Sequence, residues 1–120
     1  MRQQSGNTIA ETAHFISVAS VLWSPPELES LKDFRAFNPM TGDEIPDTGG
    51  LRKLRWSRAG MGKRSGARVI YYFYNRSAPL YLIHAYAKAA SEDLSPDEKK
   101  AFVKLVDTLK ANLKAKRKSR

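Results

Sequence analysis

The chain has 120 residues, 42% of them hydrophobic, and carries 21 Lys and Arg against 12 Asp and Glu for a net charge of +9. That length suits one domain with one core, and the hydrophobic fraction excludes wholesale disorder. There is no cysteine and there are two isolated histidines, which excludes disulfides, thiolate chemistry and a zinc centre built on those ligands.

The charge is uneven along the chain. Residues 1–50 hold three basic and seven acidic residues, for −4, and residues 51–70 hold seven basic residues and no acid. Residues 71–109 balance at five against five, and residues 110–120 hold six basic residues and no acid. A basic block within the fold and a basic tail point to a polyanionic partner, nucleic acid before membrane surface. The tail, KANLKAKRKSR, reads as a solvated run. The central block does not, because its cations alternate with core-type residues. Residues 1–30 lack the basic start and apolar run of a signal peptide, and the apolar-rich stretch 15–23 is too short to span a bilayer. A cytoplasmic protein with no membrane partner is expected.

Residues 8–12 fit a short strand. From 13 to 23, Phe15, Ile16, Ala19, Leu22 and Trp23 form a helical stripe. Ser24-Pro25-Pro26-Glu27 then supplies an N-cap, a proline for the first turn and the glutamate of a capping box. The second helix runs to about Phe37 with Leu28, Leu31 and Phe34 inward. Asn38-Pro39 ends it, since a residue before proline avoids helical dihedrals. Residues 38–50, NPMTGDEIPDTGG, read as a turn-rich connector docked through Ile45.

Strands follow at 51–56, 67–74 and 80–86, with 75–79 as a turn. They predict a three-stranded antiparallel meander with 8–12 as a further edge. Ser95-Pro96-Asp97-Glu98 repeats the capping-box pattern before a last helix striped by Phe102, Leu105, Val106, Leu109 and Leu113. One domain over 1–113 with a basic tail at 114–120 accounts for the chain.

Strand alternation puts Lys53 and Arg55 on one side of the first long strand, and Leu54 and Trp56 on the other. In the next strand Arg68, Ile70 and Tyr72 share a face opposite Val69, Tyr71 and Phe73. A pairing that unites Lys53, Arg55, Arg68 and Tyr72 makes an exposed cationic face suited to RNA: guanidinium forks for phosphate, ammonium point charges, and an aromatic ring. GxGK at 60–63 lacks the full Walker spacing and no helix follows it, which argues against a nucleotide triphosphatase. RNA cleavage through the 2′-hydroxyl needs a base, a charge stabiliser and an acid. Arginines stabilise, and a lysine crowded by like charges is a conceivable base. His84 reads as a packed core histidine and His14 as structural or exposed. The residues by themselves support RNA binding over catalysis, and a basic adaptor for an acidic protein stands third.

The runs GGLRKLRW (49–56), GKRSGARVIYYFY (62–74) and YLIHAYAK (81–88) together resemble RelE/HigB-type toxins of type II toxin–antitoxin modules. NPMTGDEIPDTGG before them and EDLSPDEKKAF after them are similar to the flanks of that family's pattern, so the resemblance covers about residues 8–110. It implies an α+β, RelE-like fold: a small antiparallel sheet of three to four strands, two N-terminal helices packed on it, and a C-terminal helix. It also implies an mRNA interferase that cuts in the ribosomal A site through the transcript's own 2′-hydroxyl, with no metal or other cofactor. The implied partners are the ribosome, mRNA and a cognate antitoxin, helix-turn-helix and HigA-like, with operator DNA reached only through that antitoxin. By the same resemblance Lys53 is the candidate base, Arg55 and Arg68 stabilise the phosphate, and Lys88 is a further stabiliser or proton donor. Arg52, Arg58, Lys63 and Arg64 would hold RNA beside Tyr72, while Tyr71, Tyr72 and Tyr86 serve packing rather than catalysis. The alternative is a catalytically degenerate module that binds RNA or antitoxin without cutting.

Overall fold

The computed structural model describes residues 7–57, 66–90 and 93–118. Over these residues the fold is α+β, with three helices and one five-stranded mixed sheet. Elements follow in the order β1 (Ile9–Glu11), α1 (Ala13–Leu22), α2 (Pro25–Phe37), β2 (Asp43–Glu44), β3 (Leu51–Trp56), β4 (Ala67–Phe73), β5 (Leu80–Ala87) and α3 (Pro96–Lys118). Both anticipated capping boxes form. Glu27 N donates to Ser24 Oγ while Ser24 N donates to Glu27 Oε1, and Ser95 and Glu98 make the same reciprocal pair. Thr12 caps α1 in addition, accepting from Phe15 N at 3.0 Å.

The strands lie in the order β1-β5-β4-β3-β2. The central three pair antiparallel as the alternation predicts, with Leu51 opposite Tyr72, Lys53 opposite Ile70 and Arg55 opposite Arg68. Two features depart from the sequence reading. The edge strand β1 runs parallel to β5, so the sheet is mixed rather than antiparallel throughout. The connector also contributes a fifth strand, β2, whose Asp43 and Glu44 lie opposite Lys53 and Arg52. Two residues between Gly42 and Ile45 carry no strand pattern of their own, and tertiary contacts put them there. A register shift between Ile70 and Tyr71 leaves Ile83 without a partner, so Ile70 faces His84 and Tyr71 faces Leu82. This one-residue bulge reverses the alternation of β5 at its middle.

Each face of the sheet is covered by helix. Phe15, Ala19, Trp23 and Leu31 of α1 and α2 pack on Leu54, Val69, Tyr71, Leu80 and Leu82. Val106 of α3, with Phe102, Leu105 and Leu109, packs on Leu51, Ile70, Tyr72 and Ile83. Helix α3 continues to Lys118, so the first residues of the basic tail are helical.

The least expected core residue is Arg35 of α2, 0% exposed, lying over the rings of Phe34 and Tyr71. Its Nη1 donates to the Tyr71 hydroxyl at 3.0 Å, while Nε and Nη2 find no partner among the described residues. Burial lowers its pKa, and Tyr71 partly opposes that shift. The same hydroxyl accepts from Gly42 N and donates to Pro39 O, each at 2.8 Å. A Cβ on Gly42 would stand 2.8 Å from the hydroxyl oxygen, so the close approach requires glycine. From the edge strand side, Arg52 Nη1 donates to Gly42 O at 2.6 Å and to Met40 O at 3.3 Å. Residues 39–42 are thus held at both ends.

Replacing Tyr71 by Phe orphans Arg35, Gly42 N and Pro39 O together and should lower stability by about 3 kcal/mol in urea unfolding. Adding Arg35→Met, which exchanges the stranded cation for an apolar side chain of similar length, should recover part of that loss. A double variant no more stable than Tyr71→Phe would contradict this account of the network.

Candidate functional site

One end of the sheet forms a cleft of about 490 Å³, lined by Thr41, Gly42, Asp43, Lys53, Leu54, Arg55, Arg68 and Lys88. The four cations arrive from three places. Lys53 and Arg55 project from the same face of β3, and Arg68 opens β4 directly opposite Arg55. Lys88 follows β5, where its N–H donates to Gly66 O at 3.1 Å and fixes the start of the turn beside β4. Arg55 is exposed and Lys53 and Lys88 are half-buried, whereas Arg68 is only 6% exposed and donates from Nη1 to Ala67 O. Two like charges directly opposed across a sheet cost a few tenths to about 1 kcal/mol.

The four residues expected to do chemistry, Lys53, Arg55, Arg68 and Lys88, therefore converge. Those expected to hold RNA do not all join them. Tyr72 has the predicted orientation, but α3 covers that part of the face and leaves the ring 3% exposed. Burial, with Tyr74 and Tyr81 nearby, pushes its hydroxyl up to about 12, so it is a core phenol and not a stacking surface. The exposed face predicted from alternation is thus half helix-covered and half open. Arg52 points to the opposite face and is occupied in holding the connector. Arg58, Lys63 and Arg64 lie outside the described residues.

Two carboxylates were missed. Asp43 of β2 lines the cleft opposite Lys53. Asp93, ahead of α3, forms an ion pair with Lys53 at 3.4 Å. The backbone N–H of Leu94 lowers the Asp93 pKa most, burial partly opposes it, and Lys53 and Lys99 lower it further. Nothing in the sequence marks either acid: one sits in a turn-rich connector and the other precedes a capping box.

His84 is a core residue, as read, 6% exposed on the α3 side of the sheet. His14 is structural as well: its Nε2 lies 2.8 Å from His84 Nδ1, with the rings stacked at 4.9 Å. His84 Nε2 is 3.6 Å from Glu98 Oε2, and Phe102 packs against both imidazoles. Neither histidine lines the cationic cleft. Among the described residues no group of His, Cys, Asp or Glu is placed to hold a metal ion, and no helix is long and apolar enough to cross a membrane.

Compared with protein families, residues 34–118 match the RelE toxin of the RelE/RelB toxin–antitoxin system. The matched stretch contains every residue that lines the cleft, α2 from its last turn, the four strands β2 to β5, and α3.

The histidine pair predicts a pH dependence of stability. Burial holds the His84 pKa below its ordinary 6.5, with Glu98 opposing and His14 adding to the depression. A depressed folded-state value means the unfolded chain binds the proton first. Stability is therefore complete above 6.5 and declines as pH falls through 6.5 toward the lower folded value. Full protonation also removes the lone pair that the His14–His84 hydrogen bond needs. Melting temperatures measured between about pH 8 and pH 5 should fall in that window, and His84→Gln should flatten the decline.

Proposed function

The chain belongs to the RelE toxin family and is the toxin of a toxin–antitoxin module with a cognate antitoxin as partner; from that premise we propose that it is a ribosome-dependent endoribonuclease that cleaves mRNA in the A site. The observation that carries this reading is the convergence of Lys53, Arg55, Arg68 and Lys88 on one open cleft, two of them directly opposed. Such an arrangement is complementary to a phosphodiester whose charge grows during attack. The RNA supplies its own nucleophile. The 2′-oxygen loses its proton and attacks the adjacent phosphorus, and the bond to the 5′-oxygen breaks. A 2′,3′-cyclic phosphate and a protonated 5′-hydroxyl remain.

In this scheme Arg55 and Arg68 fork the non-bridging oxygens, where guanidinium geometry permits two parallel hydrogen bonds. Lys53 is the candidate base that takes the 2′-hydroxyl proton, and Lys88 stabilises or protonates the leaving oxygen. Arg58, Lys63 and Arg64, in the connection between β3 and β4, are assigned to the RNA backbone or to ribosomal RNA. No metal enters the reaction, the ribosome presents the substrate, and cleavage inhibits translation in the cytoplasm. The antitoxin, HigA-like with a helix-turn-helix domain, would carry any contact with operator DNA.

Expression should arrest growth, co-expression of the antitoxin should relieve the arrest, and cleavage ends should map within translated codons and carry cyclic phosphate. Cutting should persist in EDTA. Arg55→Ala and Lys88→Ala alter exposed or half-buried positions, and each should slow cleavage by about 100-fold with little change in melting temperature. Arg68→Ala should abolish toxicity while the protein remains folded. Intact ribosome-bound mRNA with RNA binding preserved would instead identify a non-cutting, degenerate module.

A further inference from the structure

The cleft contains four cations and needs a base, and the side chains that line it narrow the choice. Thr41 is neutral, both arginines are permanently charged, and the two histidines are packed together around Phe102, away from the cleft. Lys53 is engaged by Asp93 in an ion pair at 3.4 Å. Among the described residues the cleft lining then offers one carboxylate, Asp43.

Asp43 is also well placed. Side chains of directly opposed residues in an antiparallel pair share a face with Cβ atoms about 5 Å apart, and Asp43 is directly opposed to Lys53. Its neighbour Glu44 is opposed to Arg52 and therefore points to the other face. The residue before it, Gly42, is fixed by the Tyr71 hydroxyl at 2.8 Å on its N–H and by Arg52 at 2.6 Å on its carbonyl. An exposed side chain on a short edge strand thus projects from backbone anchored to the core, as a positioned catalytic group requires.

We propose that Asp43 is the general base of the cleft, and that Lys53, held by Asp93, remains the ammonium that binds phosphate. This rests on the endoribonuclease reading above and revises the role of Lys53 within it. The Asp43 carboxylate takes the 2′-hydroxyl proton as the 2′-oxygen bonds to phosphorus. The bond from phosphorus to the 5′-oxygen breaks, and that oxygen takes a proton from the Lys88 ammonium. The cycle closes when Asp43 gives its proton to solvent and Lys88 regains one.

The test is single-turnover cleavage of ribosome-bound mRNA by the wild-type protein and by Asp43→Asn, Asp43→Glu and Glu44→Gln, with RNA affinity measured in parallel. Asp43→Asn should cut at least ~100-fold more slowly while binding RNA as tightly as wild type or more so, since a negative charge leaves a cationic cleft. Asp43→Glu should retain part of the rate, and Glu44→Gln all of it. A residue that merely shielded the cations would behave oppositely, with Asp43→Asn cutting as fast or faster, and that result overturns the assignment while leaving the endoribonuclease reading intact. A wild-type protein that does not cut overturns both. Melting curves for each variant separate loss of chemistry from loss of fold.

Discussion

The site depends on the hydroxyl of Tyr71. It accepts from Arg35 in α2 and from Gly42 N, and it donates to Pro39 O, so one oxygen joins a helix, a strand and the chain between them. A phenol in an apolar layer with all its hydrogen-bonding capacity used is stable, and each bond there is stronger than in water. Take that oxygen away and the buried guanidinium loses its acceptor, while residues 39–42 lose their inner attachment. The outer attachment, from Arg52, depends in turn on β3. Asp43 follows directly, so the position of the carboxylate beside Lys53 is inherited from the core.

Helix α3 imposes the second constraint. At 23 residues it is about 35 Å long, longer than any strand it crosses. It covers Leu51, Ile70, Tyr72 and Ile83 and leaves Lys53 half-buried and Arg55 exposed. The division follows desolvation cost: apolar and phenolic side chains gain from helix cover, while burying charged side chains under a helix would cost several kcal/mol each. Asp93, in the approach to α3, marks the border and pairs with the first cation beyond it. The same helix brings Glu98 to His84, which already stacks on His14 of α1. Three elements from opposite ends of the chain meet there around two imidazoles that share one hydrogen bond.

Electrostatically the protein holds tension at two places. Arg35 is buried without a carboxylate partner among the described residues, and it is tolerated because aromatic faces and a phenol surround it. Arg55 and Arg68 are opposed across a strand pair and face an open cleft. The first is enclosed inside the fold; the second lines an open cleft. That difference in surroundings, rather than the count of basic residues, separates structural arginine from candidate functional arginine in this chain.

Patterns local in sequence carried most of the fold. Two capping boxes located the starts of α2 and α3, the apolar stripes gave the helices their faces, and β-branched and aromatic runs gave three strands. Alternation correctly placed Lys53, Arg55 and Arg68 on one face, because side-chain direction in a strand follows from covalent geometry alone. The family pattern in 49–56, 62–74 and 81–88 brought Lys88 to the same place. What alternation could not give was cover: a strand pattern is blind to a helix arriving from thirty residues downstream, so Tyr72 looked exposed until α3 lay over it. Nor could local pattern identify β2, Arg35 as a core residue, Arg52 as a clamp, or the pairing of His14 with His84. Each depends on contacts between residues distant in the chain. The sequence alone determined which cations the protein could present and on which side of a strand; the tertiary structure decided which of them remain open to solvent and which carboxylates stand beside them, because burial and close pairing are properties of packed elements and not of neighbouring residues.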